Sequence, residues 1–189
     1  DLTQFFCVRI LPTCHPRVFL NFACLCHLIE SDKDFYKPSI HKHLGREGYH
    51  EKREKMCQLL GMNCNVPTDI CFSFTGFQAR GGATDVHADG WGIAFFEQRG
   101  VRVFLDPQPS CSSPVATLVR QYPIRSKNVV AHIRKATQGV VALENTHPFM
   151  REAWGRYWIF AHNGNLPDFA PSLDGSFLPV GNTDSERAL

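Results

Sequence analysis

Met56-Cys57-Gln58-Leu59-Leu60-Gly61 decides how this chain is interpreted, because it has the form of a protein start placed inside a longer sequence. A Met followed by a small residue is the context in which Met is removed, and its removal would leave Cys57 as a free N-terminal residue. Cys57 would then carry both a thiol and an α-amine, so the amine could take the thiol proton and create a nucleophile. On its own, Met56-Cys57 is more typical of an ordinary buried cysteine early in a strand.

Further segments supply the parts that such a nucleophile needs. They are Asp89-Gly90-Trp91-Gly92-Ile93-Ala94, Ala131-His132-Ile133-Arg134-Lys135-Ala136-Thr137, Phe160-Ala161-His162-Asn163-Gly164-Asn165-Leu166 and Gly181-Asn182-Thr183-Asp184-Ser185-Glu186. Together with Cys57, they closely resemble the class II glutamine amidotransferases, especially the small stand-alone members that open with Met-Cys-x-Leu-Leu-Gly. The resemblance covers Met56 to Leu189. It implies an α+β fold, the four-layer αββα sandwich of the N-terminal-nucleophile hydrolases, truncated here at its C-terminus.

The same residue types are the ones that hydrolysis of a glutamine side-chain amide requires. Cys57 would supply the thiolate, and its own amine the proton acceptor. Asn163 and Gly164 would donate a side-chain amide N–H and a backbone N–H to the developing oxyanion. Because glycine has no Cβ, the oxyanion can approach the Gly164 backbone closely. Arg134 offers the planar fork that grips a carboxylate, and Asp184 offers an acceptor for an ammonium. The resemblance implies the same roles at these positions.

Thr137 and His147 are two further substrate-binding candidates. His147 belongs to Asn145-Thr146-His147-Pro148-Phe149, which matches a loop near the substrate in the family, and Thr137 closes the segment that carries Arg134. His132 and His162 lie one or two positions before proposed site residues on their strands. Alternation along a strand favours them as hydrogen-bonded packing residues.

Each motif also has a purely structural interpretation. Asn163-Gly164 is above all a turn dipeptide and in isolation predicts a hairpin tip. Thr183-Asp184-Ser185-Glu186 is a capping box at a helix start, which is compatible with a partly exposed Asp184. Arg134 alone would be a surface charge.

The pattern of apolar residues predicts alternating strands and helices downstream of Met56. The predicted strands are Gln58–Met62, Val129–Ile133 and Tyr157–Ala161, and a hairpin joins Trp91–Phe96 to Val101–Leu105 through Gln98-Arg99-Gly100. One helix opens at Pro67 and Thr68 and ends near Gly81-Gly82, and a second runs from Ser113 to Tyr122 with Pro114 in its first turn.

Composition sets bounds that agree with one enzyme domain. The chain has 189 residues, of which 43% are hydrophobic, and its formal charge is only +2, so nothing favours nucleic acid or a membrane surface as a partner. The cysteines downstream of Met56 have no regular spacing, which favours reduced thiols in a cytoplasmic protein. A small-molecule substrate is expected, with no resident cofactor or metal.

Residues 1–55 are predicted to be an extension outside the domain, disordered or absent from the mature protein, and the amidotransferase domain occupies 56–189. The apolar stretch of 18–28 is too short to span a bilayer, which needs about 20 residues. Two alternatives stay open for this segment. One is a secretory signal, although no small-residue cleavage site follows. The other is a zinc site made of Cys14-His15 and Cys24-x-Cys26-His27, whose spacing fits no common finger.

The sequence therefore predicts an enzyme that cleaves the γ-glutamyl amide bond of glutamine or a γ-glutamyl compound through a Cys57 thioester, releasing ammonia or an amine. The absence of a synthase or sugar-isomerase segment favours a free-standing enzyme over the large fused amidotransferases. The alternative is a catalytically inactive binding protein on the same scaffold, because Cys57 is internal in this chain and an amide nitrogen is no base.

Overall fold

Two antiparallel sheets and three helices make up the part of the chain that the computed structural model describes, which is residues 4–9, 27–30, 57–173 and 175–189. The strands are β1 (Gln4–Arg9), β2 (His27–Glu30), β3 (Gln58–Thr68), β4 (Trp91–Glu97), β5 (Gly100–Asp106), β6 (Ser126–Ile133), β7 (Phe149–Ala153) and β8 (Arg156–Asn163). The helices are α1 (Cys71–Arg80), α2 (Pro114–Gln121) and α3 (Asp184–Arg187).

The larger sheet has five strands in the order β2-β3-β6-β4-β5, and the smaller has three in the order β1-β8-β7. β6 lies in the middle of the larger sheet, where Ala131 faces Leu60 of β3 on one side and Ile93 of β4 on the other. β8 lies between β1 and β7 in the smaller sheet. The continuous apolar runs of β6 and β8 therefore belong to central strands, as predicted from the sequence.

Alternation along the strands of the larger sheet divides its side chains between two cores. Leu60, Ile93 and Ala131 face α1 and α2 and pack in a cluster with Phe74, Phe77 and Trp91, among others. Their neighbours Leu59, Ala94 and Val130 point to the opposite face and pack against Ile159 and Ala161 of β8. The described part of the molecule is thus layered as helices, sheet and sheet, a mixed α/β architecture with few helices.

α3 packs on the face of β8 that points away from the larger sheet. His162 alternates with Ile159 and Ala161 along β8, and its Nδ1 lies 2.9 Å from Ser185 Oγ. The Arg151 guanidinium of β7 donates to Glu186 Oε1 at 2.8 Å. These contacts hold the motif that contains Asp184 against the smaller sheet.

The element predictions are confirmed for the hairpin, for α2 and for the strands β6 and β8. Two boundaries near α1 are wrong. β3 continues from Gln58 to Thr68 with an irregular register, because Thr68 still pairs with Ser126 of β6. The helix that was expected to open at Pro67 therefore begins at Cys71, whose amide donates to Asp69 Oδ1 at 3.1 Å.

Several sequence predictions fall on residues outside the described ranges. Met56, the apolar stretch 18–28 and the four cysteines of the first 55 residues either lie there or belong to a strand whose side chains are not described. The division of the chain at residue 56 stays a prediction, although β1 pairs with β8 and β2 pairs with β3. Within the described residues, no helix has the length and apolar character needed to cross a bilayer.

Candidate active site

Three strand ends bring the sequence motifs together. β3 begins directly after Cys57 and runs antiparallel to β6, with Gln58 opposite Ile133, so Cys57 lies beside Arg134 and Lys135. β8 ends at Asn163, whose Nδ2 donates to the Cys57 carbonyl oxygen at 2.6 Å. Residues far apart in sequence therefore meet at one end of the two packed sheets.

The Cys57 thiol is held by the backbone of Lys135. The Lys135 N–H donates to Cys57 Sγ at 3.1 Å, and the thiol lies 3.4 Å from the Lys135 carbonyl oxygen, to which it donates. Burial raises the pKa of the Cys57 thiol, while the Lys135 backbone hydrogen bond and the positive charge of Arg134 oppose that rise. The protonated thiol thus predominates near neutral pH, and a base is needed to generate a thiolate.

Asn163 and Gly164 lie at the end of β8. Asn163 is buried, and its Oδ1 has no hydrogen-bond partner among the described residues. Gly164 has a φ of 148°, a conformation that favours glycine. No strand among the residues described after Gly164 pairs with β8, so the pair is not the tip of a β-hairpin in this part of the chain.

Arg134 is 3% exposed, which excludes the surface-charge interpretation. Its guanidinium donates to three consecutive carbonyl oxygens of the following loop: Nη2 to Gln138 at 2.6 Å and Gly139 at 3.2 Å, and Nη1 to Val140 at 3.0 Å. Arg134 therefore orders this loop as well as contributing to the wall of the cavity described below.

Asp184 both begins a helix and faces the cavity. Its Oδ2 accepts the Leu166 N–H at 2.6 Å, and Oδ1 accepts the Ser185 N–H at 2.7 Å. Thr183 Oγ1 caps α3 by accepting the Glu186 N–H at 3.2 Å, so the predicted helix start is confirmed. The Glu186 carboxylate accepts from Arg151 and from the amides of Val180 and Gly181.

Thr137 is exposed, and its hydroxyl donates to Asn165 Oδ1 at 2.8 Å. His147 is buried, with its ring 4.4 Å from His132 and 4.5 Å from Phe149, both edge-on. Burial lowers the pKa of His132 to about 3 and also lowers the pKa values of His147 and His162. Three neutral imidazoles therefore line or support the site at ordinary pH.

One cavity contacts six of the seven residues that the sequence singled out. It is partly open to solvent, and Cys57, Arg134, Thr137, His147, Gly164 and Asp184 line it together with Lys135, Gln138, His162, Thr183 and Ser185. The seventh, Asn163, reaches the site through its hydrogen bond to Cys57. A residue with a thiol, one with a guanidinium and one with a carboxylate thus line the same cavity.

Sequence reasoning missed the residues that act through the backbone or hold the loops. Lys135 contacts Cys57 by its main chain, which no side-chain pattern reveals. Asp89 accepts the Ala136 N–H at 2.8 Å, and the sequence motif that it opens predicted no role for this carboxylate. Among the described residues, no group of three or more His, Cys, Asp or Glu side chains is placed to hold a metal ion.

The family assignment agrees with this fold and site. The family model described as glutamine amidotransferases class-II matches residues 56–189. The chain belongs to the class-II glutamine amidotransferases.

Individual relatives are consistent with the family. Over 134 residues the chain is 64% identical to the Escherichia coli (strain K12) protein named "Putative glutamine amidotransferase YafJ", covering 71% of this chain and 52% of that protein. It is 31% identical over 97 residues to the "Gamma-glutamyl-hercynylcysteine sulfoxide hydrolase" of Mycobacterium tuberculosis (strain ATCC 25618 / H37Rv), covering 51% of this chain and 36% of that protein. The chain spans about half the length of the first of these relatives.

A solved structure from Pseudomonas aeruginosa PA01, described as a "predicted glutamine amidotransferase", is 48% identical to this chain. The match has a TM-score of 0.48 and covers 69% of this chain and 51% of the solved one.

Proposed function

We propose that this protein cleaves the γ-glutamyl amide bond of glutamine or of a γ-glutamyl compound, with Cys57 as an N-terminal nucleophile. The observation that carries the proposal is the shared cavity, in which the Cys57 thiol lies with the Arg134 guanidinium and the Asp184 carboxylate. These groups are the complement of an electrophilic amide carbon, an α-carboxylate and an α-ammonium.

The reaction begins with transfer of the thiol proton to the α-amine of Cys57. Because burial raises the thiol pKa, the nearby amine is needed as the base that generates the nucleophile. Sγ then bonds to the amide carbon, and the carbonyl oxygen becomes an oxyanion that accepts from Asn163 Nδ2 and the Gly164 N–H. Collapse breaks the C–N bond, and the leaving nitrogen takes the proton from the ammonium of Cys57.

The second half of the reaction regenerates the enzyme. Water attacks the γ-glutamyl thioester, with the Cys57 amine again accepting the proton, and glutamate leaves as Sγ regains its hydrogen. Thr137 and His147, which also line the cavity, complete the substrate-binding wall. The mycobacterial relative is by name a hydrolase of a γ-glutamyl compound, which supports a hydrolytic reaction on a γ-glutamyl compound here.

The setting of this activity is part of the proposal. We assign the domain to the four-layer αββα sandwich, because α3 packs on the outer face of the smaller sheet. Cys57, Cys71 and Cys111 form no disulfide, which supports a reducing, cytoplasmic compartment. The partner is a small molecule, and no nucleic acid or membrane is invoked.

The test compares two thiols of this chain. Cys57→Ala should abolish hydrolysis of glutamine and γ-glutamyl amides while leaving ligand binding largely intact, because the thiol forms the covalent bond and does not anchor the substrate. The matched control is Cys71→Ala, which removes another half-buried free thiol that does not line the cavity. Steady-state ammonia release and calorimetric glutamate binding provide the two readouts. Turnover by Cys57→Ala at the wild-type rate would rule out the proposal.

The rival is a non-catalytic binding protein, which holds if Cys57 stays internal and its nitrogen remains an amide. It shares the cavity and the anchors but predicts that wild type and Cys57→Ala bind ligand alike and that neither turns it over. The N-terminal residue of the natively produced protein separates the two functions.

A further inference from the structure

Asn145 is a buried amide that joins the two loops carrying the proposed substrate anchors. It ends a short 3₁₀ turn, Leu143–Asn145, ahead of β7 and is 1% exposed. Its Nδ2 donates to the Val140 carbonyl at 3.1 Å and to Asn182 Oδ1 at 2.8 Å, and its Oδ1 accepts the Asn182 N–H at 2.9 Å. Both of its N–H groups and its oxygen are therefore used.

The two partners of Asn145 belong to different parts of the site. Val140 is in the loop that wraps the Arg134 guanidinium, and its carbonyl accepts from both Arg134 Nη1 and Asn145. Asn182 lies two residues before Asp184 in the segment that starts α3. Asn145 thus links the surroundings of the cationic anchor to those of the anionic anchor through direct hydrogen bonds.

Glycines on both loops keep this junction tight. A Cβ on Gly139 would lie 2.6 Å from Asn182 Oδ1, and a Cβ on Gly181 would overlap Asn145 Oδ1. Gly139 also has a φ of 73°, a conformation that favours glycine. The loops approach at a distance that leaves no room for a side chain, so Asn145 and Asn182 are fitted to each other.

We infer that Asn145 is a positioning residue that sets the separation between Arg134 and Asp184, and with it the grip on the α-carboxylate and α-ammonium of a γ-glutamyl substrate. The inference rests on the proposed function. A buried amide network of this kind is rigid when every member is satisfied, and losing one member leaves donors and acceptors of both loops unpaired. Neither Asn145 nor Asn182 lines the cavity. Losing either amide therefore acts through the positions of Arg134 and Asp184, and we expect it to weaken substrate binding.

The test is a double-mutant cycle on the full, natively produced protein, whose N-terminal residue is identified by intact-mass spectrometry. Asn145→Ala and Asn182→Ala should each raise KM for glutamine roughly tenfold or more and change kcat by less than about threefold. Because the two residues act as one unit, the double variant should have a KM close to that of the worse single variant. Asn63→Ala, at an exposed position of β3, is the control and should match wild type.

Amide hydrogen exchange gives a second readout that does not depend on activity. In Asn145→Ala, exchange should accelerate both in 138–142 and in 182–184, while β4 keeps its wild-type rates. An unchanged KM, single-variant effects that multiply in the double variant, or exchange that changes in only one loop would overturn the inference. If wild type hydrolyses no γ-glutamyl compound, the proposed function fails instead. The exchange rates alone then show whether Asn145 couples the two loops.

Discussion

At the scale of a single side chain, a substitution of Asn163 can decide whether this residue is an oxyanion donor or only a structural residue. Asn163→Asp is nearly isosteric and replaces the Nδ2 amide, which donates to the Cys57 carbonyl oxygen and which the proposed mechanism assigns to the oxyanion, with an acceptor. We predict a loss of about 10² to 10³ in kcat, with a modest effect on binding. Thermal melting beside steady-state kinetics is the measurement. If rate and melting temperature both stay at wild-type values, Asn163 is not an oxyanion donor.

Arg134 has an observed set of partners, the loop carbonyls, and a proposed one, the substrate α-carboxylate. A substitution can separate its effects on the two. Arg134→Lys replaces a fork with a single ammonium, so kcat/KM should fall roughly tenfold or more for substrates with an α-carboxylate. The control substrate is the corresponding γ-aminobutyryl amide, which has no α-carboxylate and should be affected much less. An equal loss for both substrates would show that Arg134 acts only by ordering residues 138–140.

Most residues that line the candidate site could be singled out from the sequence because their motifs carry chemistry in the side chain. Cys57, Arg134 and Asp184 each stand in a motif whose residue types match the needs of amide cleavage, and the structure gathers them around one cavity. No role could be predicted for Asn145, because its three hydrogen bonds depend on loops that meet only in the folded chain. No local pattern indicates such a partner.

At the scale of elements, the prediction succeeded where burial on both faces leaves a continuous apolar run. β6 and β8 are such strands, and their ends position Arg134 and Asn163. The edge strand β7, Phe149–Ala153, was missed because it is short and partly exposed, and the charged pair Arg151 and Glu152 interrupts its apolar residues. The start of α1 was misplaced because the pairing of Thr68 with Ser126 overrides a local helix signal.

Strands β6 and β8 also make stability depend on pH, through buried histidines. Folded His132 has a pKa of about 3 against an ordinary 6.5, so between these values the unfolded chain binds a proton that the folded chain does not. The contribution of this histidine to the free energy of unfolding is therefore fully present above pH 6.5. As the pH drops below 6.5, it falls by about 1.4 kcal/mol per pH unit for one such group. The lowered pKa values of His147 and His162 act in the same direction.

Urea unfolding between pH 7.5 and about pH 5, where ordinary carboxyl groups stay largely ionised, measures this dependence. We predict a free energy of unfolding that declines across the lower part of this range, with a shallower decline in His132→Gln. A free energy that is flat from pH 7.5 to 5 would contradict the assignment of neutral histidines to the folded state.

At the scale of the whole molecule, the mixture of helices and strands could be predicted from periodicity and the family from its motifs, whereas the predicted layering came only from the family resemblance. Periodicity gives strands and helices, whereas the division of the larger sheet into a helix-facing and a sheet-facing core appears only once Leu59 and Leu60 are seen to point to opposite faces. β1 and β2 were not predicted, and they pair with β8 and β3.

The central claim is that Cys57 becomes N-terminal and forms a γ-glutamyl thioester. Peptide mass spectrometry of the natively produced protein, quenched in acid during turnover of glutamine, tests it most directly. We predict a peptide whose first residue is Cys57 and which carries one γ-glutamyl group, and no such group in Cys57→Ala. Equal turnover by a chain verified to retain residues 1–55, or a γ-glutamyl group on any other residue, would contradict the account.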